Sequence, residues 1–211
     1  AMALSSAGEH PDVSGLKTLS SPTATDYAAA ILALTANNQN PRTYPNSDYV
    51  AALKALANNS QIGDANLLND DFFGVLALIS AGVPTSDTVV SNSKAFILSH
   101  QNSDGGWSYS PTGTSDTNDT AAAIMALMSA GSSASDSAIT KAVAYLKTAQ
   151  NSDGGFTYDP KSQWGIDSDS ASTAWVISAM NRLGENTSNN FLLSLQDSTG
   201  YFKYQAGSSA D

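Results

Sequence analysis

Closely spaced pairs of carboxylates are the feature of this sequence with the clearest chemical potential. Asp116 and Asp119 flank Asn118 in the stretch Asp-Thr-Asn-Asp-Thr-Ala, and a single serine separates Asp167 from Asp169. Neighbouring carboxylates raise each other's proton affinity, so one of them can hold a proton near neutral pH and serve as a general acid or base. Such groups can also bind a cation or a polar ligand.

A carboxylate near the start of a helix also has a purely structural use. Asp26, Asp70 and Asp119 each stand where a helical pattern begins. There they can accept hydrogen bonds from the first backbone N–H groups and meet the positive end of the helix dipole. Helix capping is therefore the expectation for these three residues, with ligand binding as the alternative.

The composition excludes several other chemistries. The 211-residue chain has no cysteine, and its two histidines are His10 and His100. Disulfides, thiolate zinc sites and cysteine nucleophiles are therefore impossible, and we expect neither a metal nor a cofactor. The formal net charge of -10 removes the basic surface that nucleic-acid binding requires, so no nucleic-acid partner is expected.

The polar residues of the sequence are mostly uncharged. Charged residues make up 13% of the chain, against about 25% in an average globular protein, and Ser, Thr, Asn and Gly take the surface positions instead. Such a surface, without cysteine, suits the disulfide-poor exported proteins of Gram-positive bacteria. No apolar run approaches the roughly 18 residues that a membrane span needs. We therefore expect an extracellular or cell-surface protein.

A first motif repeats with the pattern Gln-x3-Gly-x-aromatic-x-Tyr. The first copy starts at Gln101, the second starts at Gln150 with a nearly identical sequence, and the third starts at Gln196 with a diverged sequence. Such spacing indicates a structural repeat. We expect the glutamine amide to bond free backbone groups and the ring to pack over it, as a staple between neighbouring hairpins. The motif residues are Gln101, Gly105, Trp107, Gln150, Gly154, Phe156, Gln196, Gly200 and Phe202.

A second motif is an alanine-rich run that is apolar on most sides and typical of a buried helix. Amphipathic stretches lie between these runs and predict outer helices. Gly82 and Gly131 suit the left-handed position that ends a helix. About four inner/outer hairpins result, each covering its neighbour. The predicted inner helices start at Asp26 or cover 70–82, 119–131 and 172–184, and the predicted outer helices cover 48–57, 91–100, 138–147 and 189–195.

The alternation of the two motifs resembles the prenyltransferase/squalene-cyclase repeat, also called the QW motif. The resemblance rests on Gln-x3-Gly-x-Trp followed by Asp119-Thr-Ala at the start of an inner helix, and it covers about residues 20–207. It implies an all-α fold, the α/α toroid. Family members include triterpene cyclases, protein prenyltransferase β subunits, cobalamin carriers, thioester domains and bacterial surface proteins. The sequence Asn-Ser-Asp-Gly-Gly-Trp most resembles the repeats of the bacterial surface proteins.

The repeats also set the expected domain boundaries. Residues 1–20 look like a cloning remnant followed by a linker, and residues 21–211 form the repeat domain. The sequence stops where a further inner helix is due. We therefore expect a partial toroid, truncated at its C-terminus, that is monomeric within a longer multidomain protein.

The residues that catalytic members need are only partly present. The resemblance implies that a squalene-hopene-type cyclase protonates an alkene with an Asp in the sequence Asp-x-Asp-Asp-Thr-Ala, and this chain has Asn118 at that position. A protein prenyltransferase holds zinc with Asp, Cys and His, and a thioester domain needs Cys, so the lack of cysteine excludes both. An enzyme related to terpene cyclases, with a degenerate acid motif, stays open as an alternative.

Two other interpretations concern the acidic residues. Glycoside hydrolysis stays open, because it needs two carboxylates across a cleft and several would cluster at one mouth of the toroid. Calcium binding by the two Asn-Ser-Asp-Gly-Gly loops is not expected, because the bidentate Glu of a calcium loop is missing. Turn formation by Asn, Asp and Gly explains these loops better. The carboxylates expected at the mouth are Asp70, Asp71, Asp116, Asp119, Asp167 and Asp169.

Together these features favour a non-catalytic binding, adhesion or scaffold module. Its ligand would be a small molecule, a glycan or a protein bound at an acidic rim. A loop tryptophan, Trp164, would serve there as an anchor. A cobalamin-carrier-like binding domain is a further alternative. The predicted rim consists of Asp116, Asn118, Asp119, Trp164, Asp167 and Asp169.

Overall fold

The computed structural model describes residues 8–9, 11–17, 19–58, 60–163 and 166–208. Trp164 and part of the predicted tail lie outside these residues. Within them the chain forms one 3-10 turn, Ser14–Lys17, and eight α-helices, while extended segments form only isolated β-bridges. The helices are α1 (Ala24–Ala36), α2 (Tyr49–Ala55), α3 (Leu68–Ser80), α4 (Thr88–Ser99), α5 (Thr117–Ser129), α6 (Ser137–Thr148), α7 (Ser170–Arg182) and α8 (Asn190–Leu195).

Burial in the second and third hairpins agrees with the predicted alternation of inner and outer helices. Helices α3 and α5, predicted as inner, each bury eight of their 13 residues. Helices α4 and α6, predicted as outer, bury three and four of their 12 residues. The first hairpin does not show this difference, because α1 buries five of 13 residues and α2 buries three of seven.

Two of the predicted inner helices are followed by a glycine in the left-handed conformation. Gly82 after α3 and Gly131 after α5 have φ values of 77° and 83°, as predicted. The residue after each glycine then donates a backbone hydrogen bond to the third-last helical residue, Val83 to Leu78 at 3.0 Å and Ser132 to Leu127 at 2.9 Å. These bonds satisfy carbonyls that the helix end leaves free.

Contacts divide the chain into two compact units. The first comprises Ala1–Ser99 with Ser129–Gly131, and the second comprises His100–Met128 with Ser132–Asp211. In the first unit α1 packs against α2 and α3, and α3 packs against α4. The segment before α1 is tied to this unit by two tyrosine hydroxyls, Tyr44 to the carbonyl of Val13 at 2.9 Å and Tyr49 to that of Leu16.

The second unit holds all three copies of the Gln motif. Helix α7 packs against α8. The Gln101 amide donates to the carbonyl of Ala138 in α6 at 2.8 Å, and the Tyr145 hydroxyl of α6 donates to the carbonyl of Ser115 at 2.8 Å. Helix α6 thereby holds the loop that leads into α5.

Candidate functional site

The N-terminus of α5 is capped by Asp116. This residue is 3% exposed, and its Oδ1 accepts a hydrogen bond from the backbone N–H of Asp119 at 2.8 Å. Its own N–H donates to the carbonyl of Trp107 at 3.0 Å. The prediction that Asp119 caps this helix is therefore wrong, because α5 begins at Thr117 and Asp119 lies inside the first turn.

Of the other two aspartates predicted to cap a helix, one does so and one does not. Asp26 is confirmed, since its carboxylate accepts from the backbone N–H of Thr23 at 2.8 Å in a capping box. Asp70 is not a cap, because its Oδ2 accepts from the N–H of Asp64 in the preceding loop at 3.0 Å. Its carboxylate therefore fastens the loop rather than the helix end.

Asp116 and Asp119 form a hydrogen-bonded carboxyl pair, and Tyr158 hydrogen-bonds to Asp116. Burial, with the charge of Asp116, raises the pKa of Asp119 to about 8. Burial also raises the pKa of Asp116, although hydrogen bonds from Asp119 and Tyr158 oppose this effect. The charge of Asp116 and its hydrogen bond with Asp119 both favour the protonated form of Asp119.

Two further oxygens at this helix start have no hydrogen-bond partner among the described residues. They are the hydroxyl of Thr117 and the side-chain carbonyl of Asn118, both shielded from solvent. The backbone N–H of Thr117 is satisfied by the carbonyl of Tyr158 at 2.8 Å. Buried polar groups normally find a partner, so these two oxygens leave the start of α5 incompletely hydrogen-bonded.

The next inner helix repeats this arrangement with one change. Asp169 caps α7 and accepts from the backbone N–H and the hydroxyl of Ser172, both at 2.7 Å. The backbone N–H of Ser170 donates to the carbonyl of Tyr204 at 2.8 Å, as Thr117 does to Tyr158. Ser172 occupies the position of Asp119, so this copy has one carboxylate where the copy at α5 has a proton-sharing pair.

A small cavity of about 200 Å³ lies beside these groups, and we call it the rim cavity. Tyr158, which bonds to Asp116, lines it together with Asp167 and Asp169. Of the predicted rim residues that the structure describes, only Asp167 and Asp169 line this cavity. Asp116, Asn118 and Asp119 do not line it, and Tyr158 contacts Asp116 from the cavity wall. Trp164, the predicted anchor, lies outside the described residues. The rim cavity is lined by Thr157, Tyr158, Ser162, Asp167, Asp169, Tyr204 and Gln205.

Tyr158 is the rim residue that the sequence interpretation missed. It is the tyrosine of the second Gln motif, and the same position holds Tyr109 and Tyr204 in the other copies. The recurrence of this tyrosine was a usable signal. The role of Tyr158 could not be predicted from the sequence, because this residue contacts Asp116, which lies 42 residues earlier in the chain.

The motif glutamines close their own loops. Their amides donate to the glycine carbonyl four residues on, from Gln101 at 2.8 Å, from Gln150 at 3.4 Å and from Gln196 at 3.1 Å. Among the bonds described, the amide of Gln101 also reaches a neighbouring helix.

The motif aromatics differ in burial along the chain. Trp107 is 0% and Phe156 is 2% exposed, whereas Phe202 is 45% exposed. The backbone N–H of Trp107 donates to the Thr120 hydroxyl of the following inner helix at 2.9 Å, and Phe156 donates to Thr173 in the same way at 2.9 Å. The backbones of Trp107 and Phe156 are therefore hydrogen-bonded to the inner helix that follows each of them, α5 and α7 respectively.

In the first unit the equivalent of this threonine is a buried aspartate. The backbone N–H of Ile62 donates to Oδ1 of Asp71 at 2.9 Å, as Trp107 does to Thr120. Asp71 is 0% exposed, and the buried Ser93 hydroxyl lies beside its carboxyl group. Burial raises the pKa of Asp71 to about 7, against the lowering effects of the Ile62 N–H and the Ser93 hydroxyl.

Neither a metal cluster nor a membrane-spanning helix occurs in the described ranges. Across them, no three His, Asp or Glu side chains are grouped so as to hold a metal ion. In the same part of the chain, no helix has the length and hydropathy for a bilayer span.

Comparison with known proteins identifies relatives of this sequence. The sequence profile of the squalene-hopene cyclase C-terminal domain matches residues 12–162 and, in a second overlapping alignment, residues 75–205. Two overlapping matches are what an internally repeated sequence produces. No curated protein sequence gives a significant match.

Solved structures show the same fold. Candida albicans protein geranylgeranyltransferase-I complexed with GGPP is similar with a TM-score of 0.67 and 17% identity, over 90% of this chain and 63% of that chain. The ent-copalyl diphosphate synthase from Streptomyces platensis is similar with a TM-score of 0.54 and 17% identity, over 79% of this chain and 34% of that one. The chain thus spans less than two thirds of either protein. These likenesses confirm the predicted all-α fold of the α/α toroid type.

Proposed function

The chain belongs to the squalene-hopene cyclase C-terminal domain family, and from this membership and the rim geometry we propose that it is a non-catalytic ligand-binding module. The observation that carries the proposal is Asn118 at the position of the cyclase acid. An amide cannot protonate an alkene. The carboxyl group of the neighbouring Asp119 is already engaged in a hydrogen bond with Asp116.

The proposed ligand is an uncharged, hydroxyl-rich molecule such as a glycan. Beside Asp116 the protonated form of Asp119 is favoured, so this helix start offers a donor as well as acceptors. Hydroxyls, carboxylates and an amide line the rim cavity beside Tyr158 and Tyr204. Sugar hydroxyls pair with such groups, and aromatic rings pack on sugar faces. The weakly charged surface supports a place outside the cell for this module.

Replacing Tyr158 with phenylalanine tests the proposal. We expect affinity for a bound oligosaccharide to fall about tenfold, because the variant removes a hydroxyl that lines the rim cavity and bonds to Asp116. Isothermal titration against a panel of soluble oligosaccharides measures this change. Tyr109→Phe is the matched control, since it removes the same hydroxyl from the first motif copy.

Two outcomes would overturn the proposal. Failure of every oligosaccharide to bind at millimolar concentration would exclude the glycan assignment. Turnover of squalene, an isoprenoid diphosphate or a glycan by the purified chain would exclude a non-catalytic role.

A degenerate cyclase is the second candidate, favoured by the neutral Asp119 beside Asn118. Restoring the acid as Asn118→Asp tests it directly. We expect no product from squalene or from geranylgeranyl diphosphate, because the rim cavity is small and polar. Product formation measured by gas chromatography would instead indicate a cyclase site that lost only its acid.

A further inference from the structure

Two loops of the second unit present an aspartate in the same way. In the loop of residues 102–106, Oδ1 of Asp104 accepts from the backbone N–H of Gly106 at 3.1 Å and from the Ser115 hydroxyl at 2.6 Å. These two bonds hold the carboxylate still, and its second oxygen, Oδ2, takes no part in them.

The second loop, residues 151–155, reproduces these bonds. Oδ1 of Asp153 accepts from the backbone N–H of Gly155 at 2.9 Å and from the Ser168 hydroxyl at 2.8 Å. The amide of Asn151 donates to the same Ser168 hydroxyl at 3.0 Å, as Asn102 does to Ser115 at 3.0 Å. The two carboxylates are therefore equivalent in the repeat.

A lysine occupies the cavity at the first loop. Lys161 Nζ lies 2.7 Å from Asp104 Oδ2 in a cavity of about 380 Å³ that Asp159 also lines. Burial would raise the pKa of Asp104, but hydrogen bonds from Lys161 and Ser115 hold it below its usual range. The first loop thus binds a primary ammonium group within this chain.

The equivalent cavity at the second loop lacks this lysine. Lys161 follows the motif residue Gln150 by eleven positions, and the residue eleven positions after Gln196 is Gly207. Gly207 lines a larger cavity, of about 580 Å³, with Asp153 and a second carboxylate, Asp167. The second loop therefore offers a carboxylate in a cavity with room for the cation that the first loop already has.

We propose that this larger cavity binds the primary ammonium group of a lysine side chain in an extended peptide. Asp153 would take the ammonium as Asp104 takes Lys161. Ile166, Phe191 and Ala206 supply apolar wall beside it, which suits the alkyl stem of lysine. The net charge of -10 attracts a cationic peptide to the surface. This site shares Asp167 and Gln205 with the rim cavity but does not depend on glycan binding there.

Chemical-shift titration of the whole chain with Nα-acetyl-lysinamide tests the site. Exposed ion pairs are weak, so we expect millimolar affinity and shifts confined to the residues around this cavity, which are 151–155, 166–168, 191 and 205–208. The norleucine analogue keeps an alkyl stem but has no ammonium, and it should bind at least about fivefold more weakly. Asp153→Asn should cause the same loss, because its amide oxygen can still accept the bonds from Gly155 and Ser168.

A second variant should create a new binding site for the lysine probe at the first loop. Lys161→Ala empties the first cavity, so the lysine probe should produce new shifts in residues 102–106 at a similar concentration. The absence of those shifts, or equal binding of the norleucine analogue, would overturn the proposal. Tighter binding of glucosamine than of the lysine probe would exclude a peptide as the ligand. Tyr158→Phe should leave the lysine titration unchanged, which separates this site from the proposed glycan site.

Discussion

Trp107→Ala is expected to lower the free energy of unfolding by about 4 kcal/mol, the range seen for buried aromatic truncations. The indole is fully buried, so its removal leaves a cavity in the second unit. Its backbone is held on both sides, by Thr120 and by Asp116, which limits how far the site can collapse. Urea unfolding followed by circular dichroism measures the change.

The other motif aromatics provide the controls for this expectation. Phe156→Ala should be almost as costly, because Phe156 is 2% exposed. Phe202→Ala should cost about 1 kcal/mol, because Phe202 is 45% exposed and already meets solvent. If Trp107→Ala and Phe202→Ala lowered the free energy of unfolding by similar amounts, burial would not explain how the motif aromatics stabilise the protein.

Asp71→Thr is expected to stabilise the protein at pH 7 by about 2 kcal/mol, because it removes a buried carboxyl group whose desolvation is only partly offset by hydrogen bonds. The substitution copies Thr120 and Thr173, whose hydroxyls accept the equivalent backbone hydrogen bond at 2.9 Å. The Ile62 N–H that now donates to Asp71 therefore keeps an acceptor. Thermal and urea unfolding measure the gain.

The pH dependence identifies the cause of this gain. An unfolded aspartate releases its proton near 3.8, whereas folded Asp71 holds its proton to about pH 7, because burial raises its pKa. The folded state binds the extra proton between these values, so stability from this group is greatest below about pH 4 and is lost as pH rises through 7. The advantage of Asp71→Thr should therefore widen from pH 4 to 7 and then level off.

The reciprocal substitution is the matched control. Thr120→Asp places a carboxyl at the equivalent position of the second unit and should destabilise the protein at pH 7 more than at pH 4. A gain from Asp71→Thr that is equal at both pH values would mean that better packing, rather than loss of a buried charge, explains it.

Helix order and helix ends were predictable because each depends on nearby residues. The alanine-rich runs predicted the buried helices, and the glycines after them predicted the left-handed caps at residues 82 and 131. The inner helices begin at residues 24, 68, 117 and 170, two positions before the predicted starts. The capping residue, such as Asp116 for α5, lies further back than the repeated alignment position, and only the backbone hydrogen bonds reveal it.

The repeat pattern and the composition by themselves determined the all-α hairpin fold and the absence of cysteine chemistry, because these follow from residue type and local spacing. Only the tertiary structure decided how the carboxylates behave. Proton affinity depends on burial and on neighbours distant in sequence, as with Tyr158 beside Asp116. Thus burial and the charge of Asp116 raise the pKa of Asp119, and the buried Asp71 accepts a hydrogen bond from the N–H of Ile62. Asp153 lines a cavity without the lysine that pairs with Asp104.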